Sequence, residues 1–153
     1  MQHADPSPAA RFERVYPIRF SHCDPAGIVF FPQYLILFDE LLEDWFNEGL
    51  GVDFARFVAH ERVGTPAARL ECDFLAPSKI GDMLTMRLNV QRLGNSSFTL
   101  VIEGVCGGQT RIRCLQVRVF AALDRLRGIP IPADLRLKMA RFAVPAPAAE
   151  AKG

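Results

Sequence analysis

An α+β domain, with one antiparallel sheet of about five strands wrapped around one long helix, is what three features of the sequence predict. The run Gln33 to Asn47 is strongly amphipathic, one alternating segment precedes it, and several alternating segments bounded by turn residues follow from Gly64 onward. At 153 residues the chain has room for one domain with a real core and too little for two of ordinary size.

Taken in order, Tyr16, Ile18 and Phe20 alternate with Pro17 and Arg19, the period of a half-buried strand, and Pro17 puts that strand at an edge. A turn, Asp24-Pro25-Ala26-Gly27, then opens onto the helix. At 100° per residue, Tyr34, Phe38, Leu41 and Trp45 fall in one arc flanked by Leu35, Leu37, Leu42 and Phe46. Gln33, Glu40, Glu43, Asp44 and Asn47 gather opposite, whereas Asp39 projects beside Leu35, Leu42 and Phe46. Gly49 and Gly51 stop the helix.

Ala68, Leu70, Cys72 and Phe74 make the next period-two series. Leu84 to Val90 and Phe98 to Ile102 make two more, each read as an antiparallel strand with one buried face. Pro77 to Asp82 forms a loop with a Gly-Asp turn, and Gly94-Asn95 and Gly107-Gly108 are hairpin turns. Thr110 to Leu123 is a long last strand, and Asp134 to Phe142 a short final helix. Residues 1–11 and 143–153, rich in Ala and Pro and without periodicity, are expected to be mobile tails around an ordered domain of residues 12–142.

A composition 50% hydrophobic and 23% charged, with a net charge of +1, is that of an ordinary globular domain, not of a general nucleic-acid binder. No apolar run approaches the roughly 18 residues of a membrane span, and the first ten residues have no basic start leading into an apolar stretch, so no membrane association and a cytoplasmic location are expected. Cys23, Cys72, Cys106 and Cys114 are well separated, which argues for reduced thiols over a zinc site or a disulfide scaffold. His3, His22 and His60 form no ligand cluster. No metal and no cofactor is expected.

Chemistry points to the turn before the helix. Asp24 places a carboxylate beside a helix N-terminus, whose first N–H groups lack intrahelical acceptors and carry partial positive charge; that suits hydrolysis at a carbonyl. Pro32 fits the first helical turn, and the amides of Phe30 and Phe31 are expected to point outward. Gly27 allows a substrate to approach the backbone, while Phe30, Phe31, Tyr34 and Trp45 are expected to line a compact apolar slot. From spacing alone Asp24 serves equally well as an Asx-turn residue. His22, Cys23 and Asp24 are consecutive, so their side chains diverge and do not form a relay.

The segment Asp24-Pro25-Ala26-Gly27-Ile28-Val29-Phe30-Phe31-Pro32 resembles the D-P-A-G-x-V-aromatic-aromatic-P stretch of the 4-hydroxybenzoyl-CoA thioesterase family, hot-dog-fold enzymes in which it precedes the central helix. Pro77 to Asp82 is similar to the family's P-x-x-x-G-D connection, and Arg92 to Phe98 to its R-x-G-x-S-S-F hairpin. The resemblance implies a hot-dog fold and hydrolysis of an aromatic or short acyl-CoA. It gives Asp24 as nucleophile or general base, the Phe31 N–H as the donor that polarises the thioester carbonyl, and Asp39 as a residue near the aromatic end of the acyl group. It also implies a homodimer or homotetramer with interfacial sites. Glu40 and Glu43 are the rival carboxylates, since other hot-dog thioesterases place theirs on this helix. As a group, the basic residues of the last third, Arg111, Arg113, Arg118, Arg125, Arg127, Arg136, Lys138 and Arg141, are candidates for the phosphates of coenzyme A. Alternatives are a thioesterase acting on acyl groups carried by acyl carrier protein, and a non-catalytic module that binds acyl-CoA.

Overall fold

The computed structural model describes residues 10–144. Five antiparallel strands form the main sheet in the order β1-β4-β5-β6-β3. They are β1 (Phe12–Pro17), β3 (Ala67–Phe74), β4 (Met83–Leu93), β5 (Ser97–Cys106) and β6 (Gln109–Val119). The period-two burial expected from the sequence is cleanest at the centre. Leu84, Met86, Leu88 and Val90 of β4, with Phe98, Leu100 and Ile102 of β5, are fully buried on one face. Gly104 continues that series, where a Cβ would stand 2.9 Å from Ile112 Cγ2 and 3.2 Å from Met86 Sδ, so only glycine lets the layers close.

Helix α1 (Pro32–Asp44) lies across this face and buries Leu37, Phe38 and Leu41 against it. Each such side chain contributes about 1.5–3 kcal/mol through burial. The helix widens at its end into a single π turn, Trp45–Gly49, in which the Leu50 N–H donates to the Trp45 carbonyl at 2.8 Å. The adjacent Trp45 and Phe46 at its start are both fully buried, their rings edge to face at 5.7 Å. Tyr16 of β1 donates its hydroxyl to Asp44 Oδ2 at 2.5 Å and ties the edge strand to the helix end. Burial, then that hydrogen bond to a carboxylate, pushes the phenol pKa up.

The first strand lies earlier than the expected Tyr16–Phe20. The chain leaves the sheet after Pro17, and Phe20 sits 85% exposed in a 3₁₀ turn (Phe20–His22). The expected last strand, Thr110 to Leu123, is broken at Phe120, whose N–H donates to the Ser96 carbonyl at 2.8 Å. Beyond it β7 (Ala121–Ala122) pairs with β2 (Val63–Gly64) and β8 (Arg127–Gly128) in a small second sheet. A short helix, α2 (Phe54–Ala59), was not anticipated, and Asp53 caps it by accepting the Arg56 N–H at 3.1 Å. The final helix, α3, runs Ala133–Ala140.

Strand β3 departs from its expected half-buried state. Leu70 and Phe74 are 41% and 55% exposed because β3 is an edge strand that α1 covers only in part, through Tyr34 on Phe74. Of the expected tails, residues 1–9 and 145–153 lie outside the described residues. Val144 donates its N–H to the Val90 carbonyl at 2.9 Å, and Ala10 to that of Arg141 at 3.0 Å. Among the described residues no helix is long and apolar enough to cross a membrane.

Candidate active site

The turn before α1 is a small hairpin. Asp24 N–H donates to the Ile28 carbonyl and Phe30 N–H to the His22 carbonyl, both at 2.9 Å, with Cys23 and Val29 bridged between them. Asp24 Oδ1 accepts the Ala26 N–H at 2.9 Å, the Asx-turn contact expected from Asp-Pro, and this leaves Oδ2 without a protein partner among the described residues. Gly27 closes the hairpin at φ +76°, a conformation glycine adopts without strain, and no heavy atom lies within 4 Å of where its Cβ would be.

The Pro77–Asp82 loop supports this hairpin from outside. Val29 N–H donates to the Ser78 carbonyl at 2.9 Å and Ile80 N–H to the Gly27 carbonyl at 3.0 Å. Asp82 holds the loop in shape, its Oδ2 accepting from the Lys79 N–H at 2.9 Å and from Arg111 Nη1 at 3.0 Å, while the same Nη1 reaches the Pro77 carbonyl at 2.6 Å. The Lys79 amide first, and then Arg111, hold the Asp82 carboxyl below the usual carboxylate range.

The backbone at the helix start separates the two candidate amides. Phe30, expected to point its N–H outward, spends it on His22 instead. Gln33 donates to the Phe30 carbonyl at 2.9 Å, Tyr34 to that of Phe31 at 3.1 Å, and Pro32 has no N–H. The Phe31 N–H alone from Val29 to Tyr34 has no acceptor among the described residues. It stands at the positive end of α1, beside the hairpin that carries Asp24.

The aromatic residues also divide. Trp45 is fully buried in the core and Tyr34 is 4% exposed, so neither lines an open slot in the single chain. Burial pushes the Tyr34 phenol pKa up. Phe30 and Phe31 are 50% and 60% exposed, with ring centroids 5.6 Å apart, and Phe31 meets Phe74 of β3 edge to face at 6.1 Å. Leu35 and Ile36 of α1, Leu70 of β3 and Leu75 just after it are exposed as well.

His22 Nδ1 accepts the Arg19 N–H at 2.9 Å and the Cys23 thiol donates to the Arg19 carbonyl at 3.4 Å, so the two side chains turn away from a relay with Asp24. Asp39 does not stand free on its helix flank. Its Oδ1 accepts from Arg118 Nη2 at 2.5 Å, although the Asp39 side chain remains 69% exposed. Among the basic candidates, Arg111, Arg113, Arg136 and Arg141 are bonded to Asp82, Glu103, the Gly94 carbonyl and the Gly49 carbonyl respectively. Arg118 and the Asp82–Arg111 pair were not singled out individually from the sequence. Arg118 shares the parity of the buried Ile112, Cys114 and Phe120, and that was the available signal. No group of three or more His, Cys, Asp or Glu side chains that would hold a metal occurs among the described residues.

The family model of the thioesterase-like superfamily matches residues 18–139. A 4-hydroxybenzoyl-CoA thioesterase of Pseudomonas sp. (strain CBS-3) is 35% identical over 126 residues, covering 76% of this chain and 89% of that protein. A 1,4-dihydroxy-2-naphthoyl-CoA hydrolase of Thermosynechococcus vestitus is 33% identical over 138 residues, covering 86% and 88%. The solved structure of a gentisyl-coenzyme A thioesterase superimposes with a TM-score of 0.75 at 27% identity, covering 86% of this chain and all of that one.

Proposed function

The chain belongs to the thioesterase-like superfamily and has its hot-dog fold, and we propose that it is an acyl-CoA thioesterase that hydrolyses a hydroxylated aromatic acyl-CoA to the free acid and coenzyme A. The observation that carries this reading is the one unspent amide at the start of α1, on Phe31, next to a hairpin whose Asp24 keeps one carboxylate oxygen free. The thioester carbonyl oxygen accepts the Phe31 N–H, and the helix N-terminus stabilises the charge that grows on it. Asp24 then either adds to the carbonyl carbon and expels the coenzyme A thiolate, leaving an anhydride for water to open, or takes a proton from an attacking water. The substrate class is supported by the relatives, named for 4-hydroxybenzoyl-, dihydroxynaphthoyl- and gentisyl-CoA.

The same reading makes the active protein a homodimer or a homotetramer. The exposed apolar side chains of the β3 edge, Leu70, Phe74 and Leu75, suit coverage by a second copy. Asp39, eight residues beyond Phe31 on α1, is the group taken to meet the aromatic end of the acyl group. Exposed Arg125 and Arg127 form no side-chain hydrogen bond among the described residues and are the basic groups offered to the phosphates of coenzyme A.

The test is a panel of acyl-CoA esters assayed by release of the free thiol, run beside the same acyl groups on acyl carrier protein. Turnover of 4-hydroxybenzoyl-CoA and related aryl thioesters well above that of straight-chain acyl-CoA is the expected result. No hydrolysis of any acyl-CoA by the folded protein, or a clear preference for the carrier-protein esters, would refute the reading.

A further inference from the structure

Arg118 carries a charge into the space between helix and sheet, and a buried charge is tolerated only when its donors are satisfied. Its side chain is 9% exposed. Nε donates to Gln116 Oε1 at 2.9 Å and Nη1 to the Thr65 carbonyl at 3.0 Å. Gln116 and Thr65 are themselves buried. The third arm of the guanidinium, Nη2, reaches out to Asp39 Oδ1 at 2.5 Å. The pair is thus unequal, with an arginine clamped from within and an aspartate open to solvent. Leu42, Glu43 and Phe54 join Asp39, Thr65 and Arg118 around a cavity of about 220 Å³.

We infer that Arg118 is a positioning residue that sets the acyl specificity, by holding Asp39 so that its second oxygen, Oδ2, accepts a hydrogen bond from a ring hydroxyl of the acyl group. The inference rests on the reading of Asp39 as the residue that meets the aromatic end of the substrate. An ion pair with one exposed partner contributes little to stability, so fixing geometry is the effect to look for. A free aspartate on a helix surface samples several rotamers and loses that freedom when a ligand arrives. One already fixed through Oδ1 loses less, and its affinity for a correctly placed hydroxyl is correspondingly greater. The ligand class is an aryl thioester with a hydroxyl on the ring, and an unsubstituted ring gains nothing from the arrangement.

The experiment compares kcat/KM for 4-hydroxybenzoyl-CoA and benzoyl-CoA in the wild type, Asp39→Ala, Arg118→Met, Arg118→Lys and the double variant Asp39→Ala/Arg118→Met, with melting and sedimentation on each. The ratio of the two values is expected to fall about tenfold or more in Arg118→Met, as for loss of a hydrogen bond to a charged group. Arg118→Lys should recover part of it, and the double variant should be no less selective than Asp39→Ala alone. A selective Asp39→Ala beside an Arg118→Met whose ratio is unchanged would overturn this inference and leave the thioesterase reading standing. An Asp39→Ala that is itself unselective in an active enzyme would overturn it through its premise. Should Arg118→Met fail to fold, Arg118→Lys decides by the same ratio, because lysine keeps the charge without the fork that clamps Asp39; an unchanged ratio there refutes the inference.

Discussion

In the proposed mechanism Asp24 supplies the reacting carboxylate. Replacing it with Asn keeps its size and an oxygen for the Ala26 amide, so the hairpin should fold as before. The expected result is a kcat lower by at least about 10²–10⁴-fold with a nearly unchanged melting curve and substrate affinity, because the lost interaction acts in the transition state. Near wild-type turnover would move the search to Glu40 and Glu43. Tyr16 offers a contrast in which only stability is at stake. Removing its hydroxyl in Tyr16→Phe leaves Asp44 without the 2.5 Å hydrogen bond that joins β1 to the end of α1. A loss of about 1–3 kcal/mol in a denaturant titration is expected, with unchanged kcat.

Among single elements, one responds to pH. The Pro77–Asp82 loop depends on a carboxylate whose folded pKa lies below its unfolded value. Such a group adds stability above the unfolded pKa, and the contribution disappears as pH falls through the lower folded value. Melting temperature should therefore drop below about pH 4, and more steeply in the wild type than in Asp82→Asn, measured by calorimetry across that range. The long helix and the central strands β4 and β5 were legible because their periods, 3.6 and 2, are imposed by a core on one side. The Trp45–Gly49 turn was not, because an i to i+5 hydrogen bond leaves no spacing signature distinct from an ordinary helix end. Nor was the split at Phe120, where the alternation continues in sequence while the chain changes hydrogen-bond partners. The turn that carries Asp24 could be read as a motif. The difference between the Phe30 and Phe31 amides could not, since it depends on the His22 carbonyl across the hairpin.

At the scale of the whole molecule, β3 explains why a face that reads as buried in sequence stands open in one chain, since its cover is expected to come from another copy. Leu70→Lys should shift the protein toward monomer in sedimentation and lower activity in parallel. A wild-type monomer, folded and active at micromolar concentration, would contradict the interfacial site. The only tryptophan of the chain, Trp45, is fully buried, ringed by Phe46, Phe98 and Phe142 at 5.7 to 6.4 Å, and its indole Nε1 has no hydrogen-bond partner among the described residues. Its emission should thus be strongly blue-shifted, insensitive to aqueous quenchers and indifferent to ligands at the Asp24 hairpin. It makes a built-in optical gauge of core integrity, against which a variant that has lost only its chemistry can be told from one that has lost its fold.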